Sequence, residues 1–237
     1  MKTTKIIAHR GLSSIYYQNT LTAFEKAAES KTFDGIETDI WQTADGVWVC
    51  SHDRDPFADS TLLVDCIPFS QAVSTPLNRN KSRKAKVEND VFICSFEEYL
   101  NVCKDWELTA VIELKSQVPK EQLTDLLSLI DGKLSLEKYV IISFYKENAD
   151  NILEQNPDVN AQILTSNYIL AKRYLNAGYN IGVNNRITTS NLIKRAQVKG
   201  REINVWTVNS SKRAKALINA GVNYLTTDNK LELQQNV

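Results

Sequence analysis

Hydrophobic positions along the chain follow two periods that take turns. Lys5 to Ala8 is a short strand-like run, and Leu21, Phe24, Ala27 and Ala28 then recur at helical spacing, with Asn19 or Thr20 placed to cap that helix. Ile36 to Ile40 returns to strand character. After Ala44-Asp45-Gly46, a tight-turn sequence, Val47 to Cys50 completes a predicted hairpin. Beyond residue 92 the rhythm resumes. Ser95 caps a helix through Leu100, Leu108 to Leu114 reads as a strand, and Glu121 to Ile130 as a helix. Strands follow at Tyr139–Phe144, Val159–Leu164, Tyr179–Val183, Ile203–Val208 and Val222–Leu225, with helices to about Glu154 and over Ile169–Asn176, Ser190–Lys199 and Ser211–Ala220 between them.

Strands joined by helices imply parallel pairing, because a parallel partner needs a crossover connection. Eight such units in 237 residues predict an α/β fold, a closed (β/α)8 TIM barrel rather than an open doubly wound sheet. No glycine-rich phosphate loop follows the first strand, which further disfavours the open-sheet nucleotide binders. Residues 1–237 are expected to form a single barrel domain. Within it, residues 54–92 break the pattern with Pro56, Pro68 and Pro76 and read as an insertion over the site mouth. Its basic run, Asn78 to Lys86, reads either as a solvated face or as an aid in attracting a polyanionic substrate.

Composition narrows this picture. Lys plus Arg and Asp plus Glu number 28 each, so no global electrostatic pull toward nucleic acid or acidic membranes is expected. No apolar signal core opens the chain, and no uncharged apolar run approaches the roughly 20 residues of a membrane span. A cytoplasmic protein without stable membrane insertion is the expectation. Cys50, Cys66, Cys94 and Cys103 lack CxxC spacing and read as buried or semi-buried free thiols.

The candidate chemistry lies at the carboxyl ends of the first three barrel strands, where such barrels keep their active sites. Glu37 and Asp39 share one strand face, with backbone positions roughly 6.5 to 7 Å apart. Turned inward, they would repel each other and resist desolvation unless a cation sat between them. Glu113 adds a third carboxylate from a neighbouring strand, with Lys115 on the same face, although Glu113 and Lys115 alone also fit a buried ion pair closing the barrel. Three carboxylates plus waters suit Mg2+ or Ca2+ better than Zn2+. His9 and Arg10 end the first strand, and the hairpin presents His52. Both histidines of the chain therefore fall in this set.

Taken together, His9-Arg10-Gly11, Asn19-Thr20, Glu37-Thr38-Asp39, Thr43 with Asp45-Gly46, His52-Asp53, Glu113-Leu114-Lys115, Ser143-Phe144, Trp206-Thr207-Val208-Asn209 and Thr227-Asp228 resemble the glycerophosphodiester phosphodiesterases over nearly the whole chain. The resemblance implies a barrel enzyme that uses one divalent cation, Mg2+ or Ca2+, to split a small glycerophosphodiester substrate into an alcohol and glycerol 3-phosphate. It implies that Glu37, Asp39 and Glu113 hold the metal and that His9 and His52 form the acid–base pair. By the same likeness, Arg10 and Lys115 contact phosphate, and Phe144 and Trp206 shape the glycerol side. The chain departs from the family pattern at Gln18, where a glutamate is common, along residues 54–92, and at Asn229-Lys230, where a proline often stands. Two other readings remain in view: a phospholipase- or lyase-like barrel acting on phospholipid headgroups, and a barrel that binds phosphodiesters without turnover.

Overall fold

The computed structural model describes residues 4–82 and 89–233, so Arg83 to Lys86 of the basic run lie outside the described residues. The strands are β1 (Lys5–His9), β2 (Gly35–Gln42), β3 (Trp48–Cys50), β4 (Thr109–Leu114), β5 (Tyr139–Ser143), β6 (Ala161–Thr165), β7 (Asn180–Asn184), β8 (Ile203–Trp206) and β9 (Tyr224–Thr227). β3 pairs antiparallel with β2 as the predicted hairpin. All other neighbours are parallel, and β1 pairs with both β2 and β9, which closes the ring as a (β/α)8 barrel.

The helices are α1 (Leu21–Glu29), α2 (Phe69–Ala72), α3 (Phe96–Asp105), α4 (Lys120–Asp131), α5 (Lys146–Gln155), α6 (Tyr168–Asn176), α7 (Ser190–Val198) and α8 (Ser211–Ala220). Ser95 and Glu98 form a reciprocal capping box on α3, a device worth about 1 kcal/mol. Thr20, not Asn19, caps α1: the Thr20 side chain accepts the Ala23 amide proton, while Asn19 adopts a left-handed φ of 55° and turns its amide toward β2.

Strand alternation divides the core in two. Ile36, Ile40, Ala110, Ile112, Leu114, Ile141 and their counterparts pack outward against the helices, where α3 lays Tyr99 against Phe24 with ring centroids 5.0 Å apart. The alternate positions Ile7, Val111, Val140, Ile142, Leu164 and Tyr224 fill the barrel interior and form a floor beneath the open end. Register then decides what stands above that floor. His9 pairs with Glu37 on the β1–β2 ladder, and Asp39 pairs with Glu113 on the β2–β4 ladder.

The segment between the hairpin and α3 carries an apolar cluster of its own. Phe57, Val64, Ile67, Ala72 and Leu77 pack with Tyr17, Val49 and Ile93, away from the barrel core. The last strand lies two residues further along than the hydrophobic run alone implies. Gly221, at φ 83°, ends α8 in a left-handed turn, and Val222 is buried as part of the helix-facing core before Tyr224 enters the sheet. Three cysteines are buried as free thiols, whereas Cys66 is exposed.

Candidate active site

Glu37, Asp39 and Glu113 each offer an oxygen such that all three lie within 4.8 Å of one another, and all three residues are buried. Crowding like charges in a desolvated place perturbs every member. Burial and the neighbouring Asp39 push Glu37 well above the usual carboxylate range, and the same two causes raise Glu113 to about 7. For Asp39, burial also favours the neutral acid, but Arg10 and Lys115 outweigh it and hold the carboxyl below its ordinary value. Asp39 Oδ1 is buried and accepts no well-aligned hydrogen bond from the described residues, though the Lys115 ammonium lies 3.1 Å away. An acid triad with an under-satisfied inner oxygen has the donor chemistry of a hard-cation site, and these residues can hold a metal ion.

Two cations and two amides surround the triad. Lys115 Nζ lies 2.8 Å from Glu113 Oε1. Arg10 Nε stands 3.0 Å from Asp39 Oδ2, close enough for attraction but out of line for a hydrogen bond. The Arg10 backbone amide donates to Glu37 Oε2 at 2.9 Å, and its guanidinium donates to Gln18 Oε1 at 2.8 Å. Arg10 takes a left-handed φ of 60°, followed by Gly11 at 78°. A Cβ at Gly11 would stand 2.6 Å from the Ala23 backbone, so only glycine fits that turn. Asn19 donates to Asp39 Oδ2 at 2.9 Å and accepts from the Thr38 hydroxyl, which fixes the acid from behind.

Each histidine is anchored by a carboxylate. His9 Nδ1 is 2.7 Å from Asp228 Oδ1, and His52 Nδ1 is 2.7 Å from Asp53 Oδ1. A carboxylate can only accept, so the hydrogen sits on Nδ1 and each Nε2 is left as the working nitrogen. His9 Nε2 lies 3.9 Å from Glu37 Oε2, too far for a hydrogen bond. Burial lowers the pKa of both rings from 6.5, with Arg10 pulling the same way. Both therefore stay neutral at neutral pH. Asn209 holds Asp228 in turn, donating to Oδ2 at 2.6 Å and accepting from the Asp228 amide at 2.9 Å.

One cavity of about 270 Å3 is lined by His9, Arg10, Glu37, His52, Glu113 and Lys115 on one side, and by Phe144 and Trp206 together with Ile142 and Leu164 on the other. Thus eight of the nine residues singled out in the sequence border one space. Asp39, fully buried, lies outside that lining and within the acid triad. Phe144 and Trp206 meet edge to face at 5.6 Å, and the buried Trp206 indole N–H has no hydrogen-bond partner among the described residues. Gly182 keeps this wall open, since a Cβ there would collide with Leu164 Cδ2. Asp228, Asn209 and Asp53 stand in the motifs of the resemblance without a role that the sequence alone assigns, and Gln18 only as a departure from the family pattern. The signal for Asp228 was its place just past the last barrel strand, where strand ends meet the site.

The fold and this site together define a barrel hydrolase of phosphoric diesters. The chain matches the Glycerophosphoryl diester phosphodiesterase family over residues 9–231, and it belongs to that family. Among its relatives, a Glycerophosphodiester phosphodiesterase of Bacillus altitudinis is 26% identical over 245 residues, covering 95% of this chain and 94% of that protein. A solved glycerophosphodiester phosphodiesterase from Parabacteroides distasonis superposes with a TM-score of 0.76 at 24% identity, covering 96% and 93% of the two chains. An Oleispira antarctica phosphodiesterase, solved in complex with the product sn-glycerol-3-phosphate, superposes with a TM-score of 0.79 at 17% identity over 95% and 93%. No helix among the described residues is long and apolar enough to cross a membrane.

Proposed function

We propose that this chain, as one barrel domain with an insertion at residues 54–92, hydrolyses glycerophosphodiesters to an alcohol and glycerol 3-phosphate with the help of one Mg2+ or Ca2+ ion. The observation that carries the reading is a buried acid triad, two of whose members, Glu37 and Glu113, line one cavity with two carboxylate-anchored imidazoles. Glu37, Asp39 and Glu113 would hold the ion, which supplies charge stabilisation at the phosphoryl oxygens. Charge accounting supports a divalent species. Three carboxylates against Arg10 and Lys115 leave one negative charge, a divalent cation reverses it to one positive, and a phosphodiester monoanion then neutralises the site.

Arg10 and Lys115 bind and orient the phosphate oxygens. One neutral histidine accepts at Nε2 the proton of the attacking hydroxyl as the new oxygen–phosphorus bond forms. The other takes up a proton from solvent at Nε2 and passes it to the departing alkoxide as the old bond breaks, and the first returns its proton to solvent, so protons balance over the cycle. Phe144 and Trp206 flank the glycerol moiety. The cavity falls just below the usual range for ligand sites, which suits a deacylated headgroup rather than a phospholipid with its acyl chains. The test is a panel of glycerophosphocholine, glycerophosphoethanolamine and glycerophosphoinositol with and without chelator. Glycerol 3-phosphate should appear, vanish with chelation and return on adding Mg2+ or Ca2+. Turnover indifferent to chelation would remove the metal from the reading, and no product from any member would remove the reading itself.

A further inference from the structure

The overall charge of zero conceals a division along the chain. Between Val159 and Thr227 stand ten lysines and arginines and a single acid, Glu202, so this stretch carries +9 and the remainder −9. The stretch includes α6, α7 and α8, which contain no acidic residue, whereas α1, α3, α4 and α5 each contain at least one. Acids near a helix N-terminus are favoured by the helix dipole, yet all three of these first turns lack one. Helix stability therefore does not account for the composition.

The bases are concentrated on a surface. α6 and α7 bound a groove of about 520 Å3 lined by Lys172, Lys194, Arg195 and Lys199 with Tyr168 and Val198. Among the described residues none of these four bases forms an ion pair. Arg195 donates to the neutral Asn176, and Lys172 lies over the Tyr168 ring. Two apolar side chains project from the same two helices, Ile169 at 59% exposure and Val198 at 83%. Unpaired bases interleaved with exposed apolar side chains match an anionic bilayer, which offers phosphate at the surface and hydrocarbon beneath it. A nucleic acid would answer only the charge.

We propose that the α6–α7 face is a peripheral docking surface for anionic phospholipid bilayers. The barrel would lie on its side there, with Lys172, Lys194, Arg195 and Lys199 at the headgroups and Ile169 and Val198 dipping between them. Docking stands independently of the hydrolase reading. It would hold the chain beside the lipids whose deacylation yields glycerophosphodiesters.

The experiment is sedimentation of the full chain with vesicles of phosphatidylcholine alone or mixed with phosphatidylglycerol, at low and high salt. The chain should pellet only with the anionic vesicles at low salt, and Lys194→Gln and Lys199→Gln should each weaken partition by about fivefold. Ile169→Ser with Val198→Ser should weaken vesicle binding while leaving binding to a DNA duplex unchanged. A chain that stays in the supernatant, or pellets equally with neutral vesicles, overturns the proposal. So does a duplex bound more tightly than vesicles with the serine variants unaffected, which would assign the face to nucleic acid. The unmodified chain decides the first point without any variant, and turnover of soluble glycerophosphocholine, measured separately, bears only on the hydrolase reading.

Discussion

At the open end of the barrel, the wall formed by β1, β2 and β4 carries His9, Arg10, Glu37, Glu113 and Lys115 with Asp39 buried in the triad behind them, while the wall from β5, β6 and β8 carries Ile142, Phe144, Leu164 and Trp206. The first wall is cross-braced before any ligand arrives, by Asn19 and Arg10 on Asp39, by the Arg10 amide on Glu37, and by Lys115 on Glu113. The second has one edge-to-face ring contact, a half-exposed Phe144 and an indole N–H without a partner among the described residues. Groups that must meet a developing charge gain from being held in place in advance. Groups that only receive a polyol need shape. The difference teaches that changes on the charged wall should act on kcat and changes on the apolar wall on KM.

The largest expected effect breaks the charged wall at its centre. Asp39→Asn should lower kcat by about a thousandfold or more, and in a chelator titration the residual activity should no longer follow added cation. Parent-like turnover in Asp39→Asn would mean that the acids only stabilise the fold. Next come His9→Ala and His52→Ala, each expected to cost about 10^2- to 10^4-fold in kcat while leaving the circular dichroism spectrum unchanged.

A smaller effect sharpens the comparison. Asp228→Asn keeps the shape but can donate as well as accept, so His9 loses its fixed tautomer; kcat should fall by about 10- to 100-fold with KM nearly constant. An unchanged kcat would show that Asp228 serves only the loop it shares with Asn209. On the opposite wall, Trp206→Ala should raise KM by about tenfold, the scale of about 1 to 3 kcal/mol for lost apolar contact, with a lesser change in kcat.

The gentlest probe is pH. Glu113 has its folded-state pKa raised to about 7 and Glu37 is raised as well. At these two groups the folded, metal-free chain therefore binds more protons than the unfolded chain above about pH 4.5, and the stability they contribute is lost as pH rises through about 7. His9 and His52, with lowered values, act oppositely up to about pH 6.5. Comparing melting temperatures with and without Mg2+ isolates the acids: the stabilisation by the ion should grow from about pH 5 to about pH 8. A constant increment would place the ion away from the triad.

The barrel and most of this wall were legible in the sequence because both rest on short-range periodicity. Alternation put Glu37 with Asp39 and Glu113 with Lys115 on inward faces, and strand ends located His9 and Arg10. Asn19 and Thr20 read equally well as the helix cap, because the local sequence does not reveal that the Asn19 backbone turns left-handed and aims its amide at Asp39. The His9–Asp228 pair spans 219 residues and exists only once the ring closes. The charge division was hidden by a total of zero, which averages over faces that never meet.

The apolar cluster under the mouth has a consequence for how this molecule can diversify. Because Phe57, Val64, Ile67, Ala72 and Leu77 pack with one another and with Tyr17, Val49 and Ile93 rather than into the barrel core, the rim has its own foundation. Descendants can lengthen, trim or reshape that rim to admit different leaving alcohols while the staves and the chemistry they carry pass on unaltered.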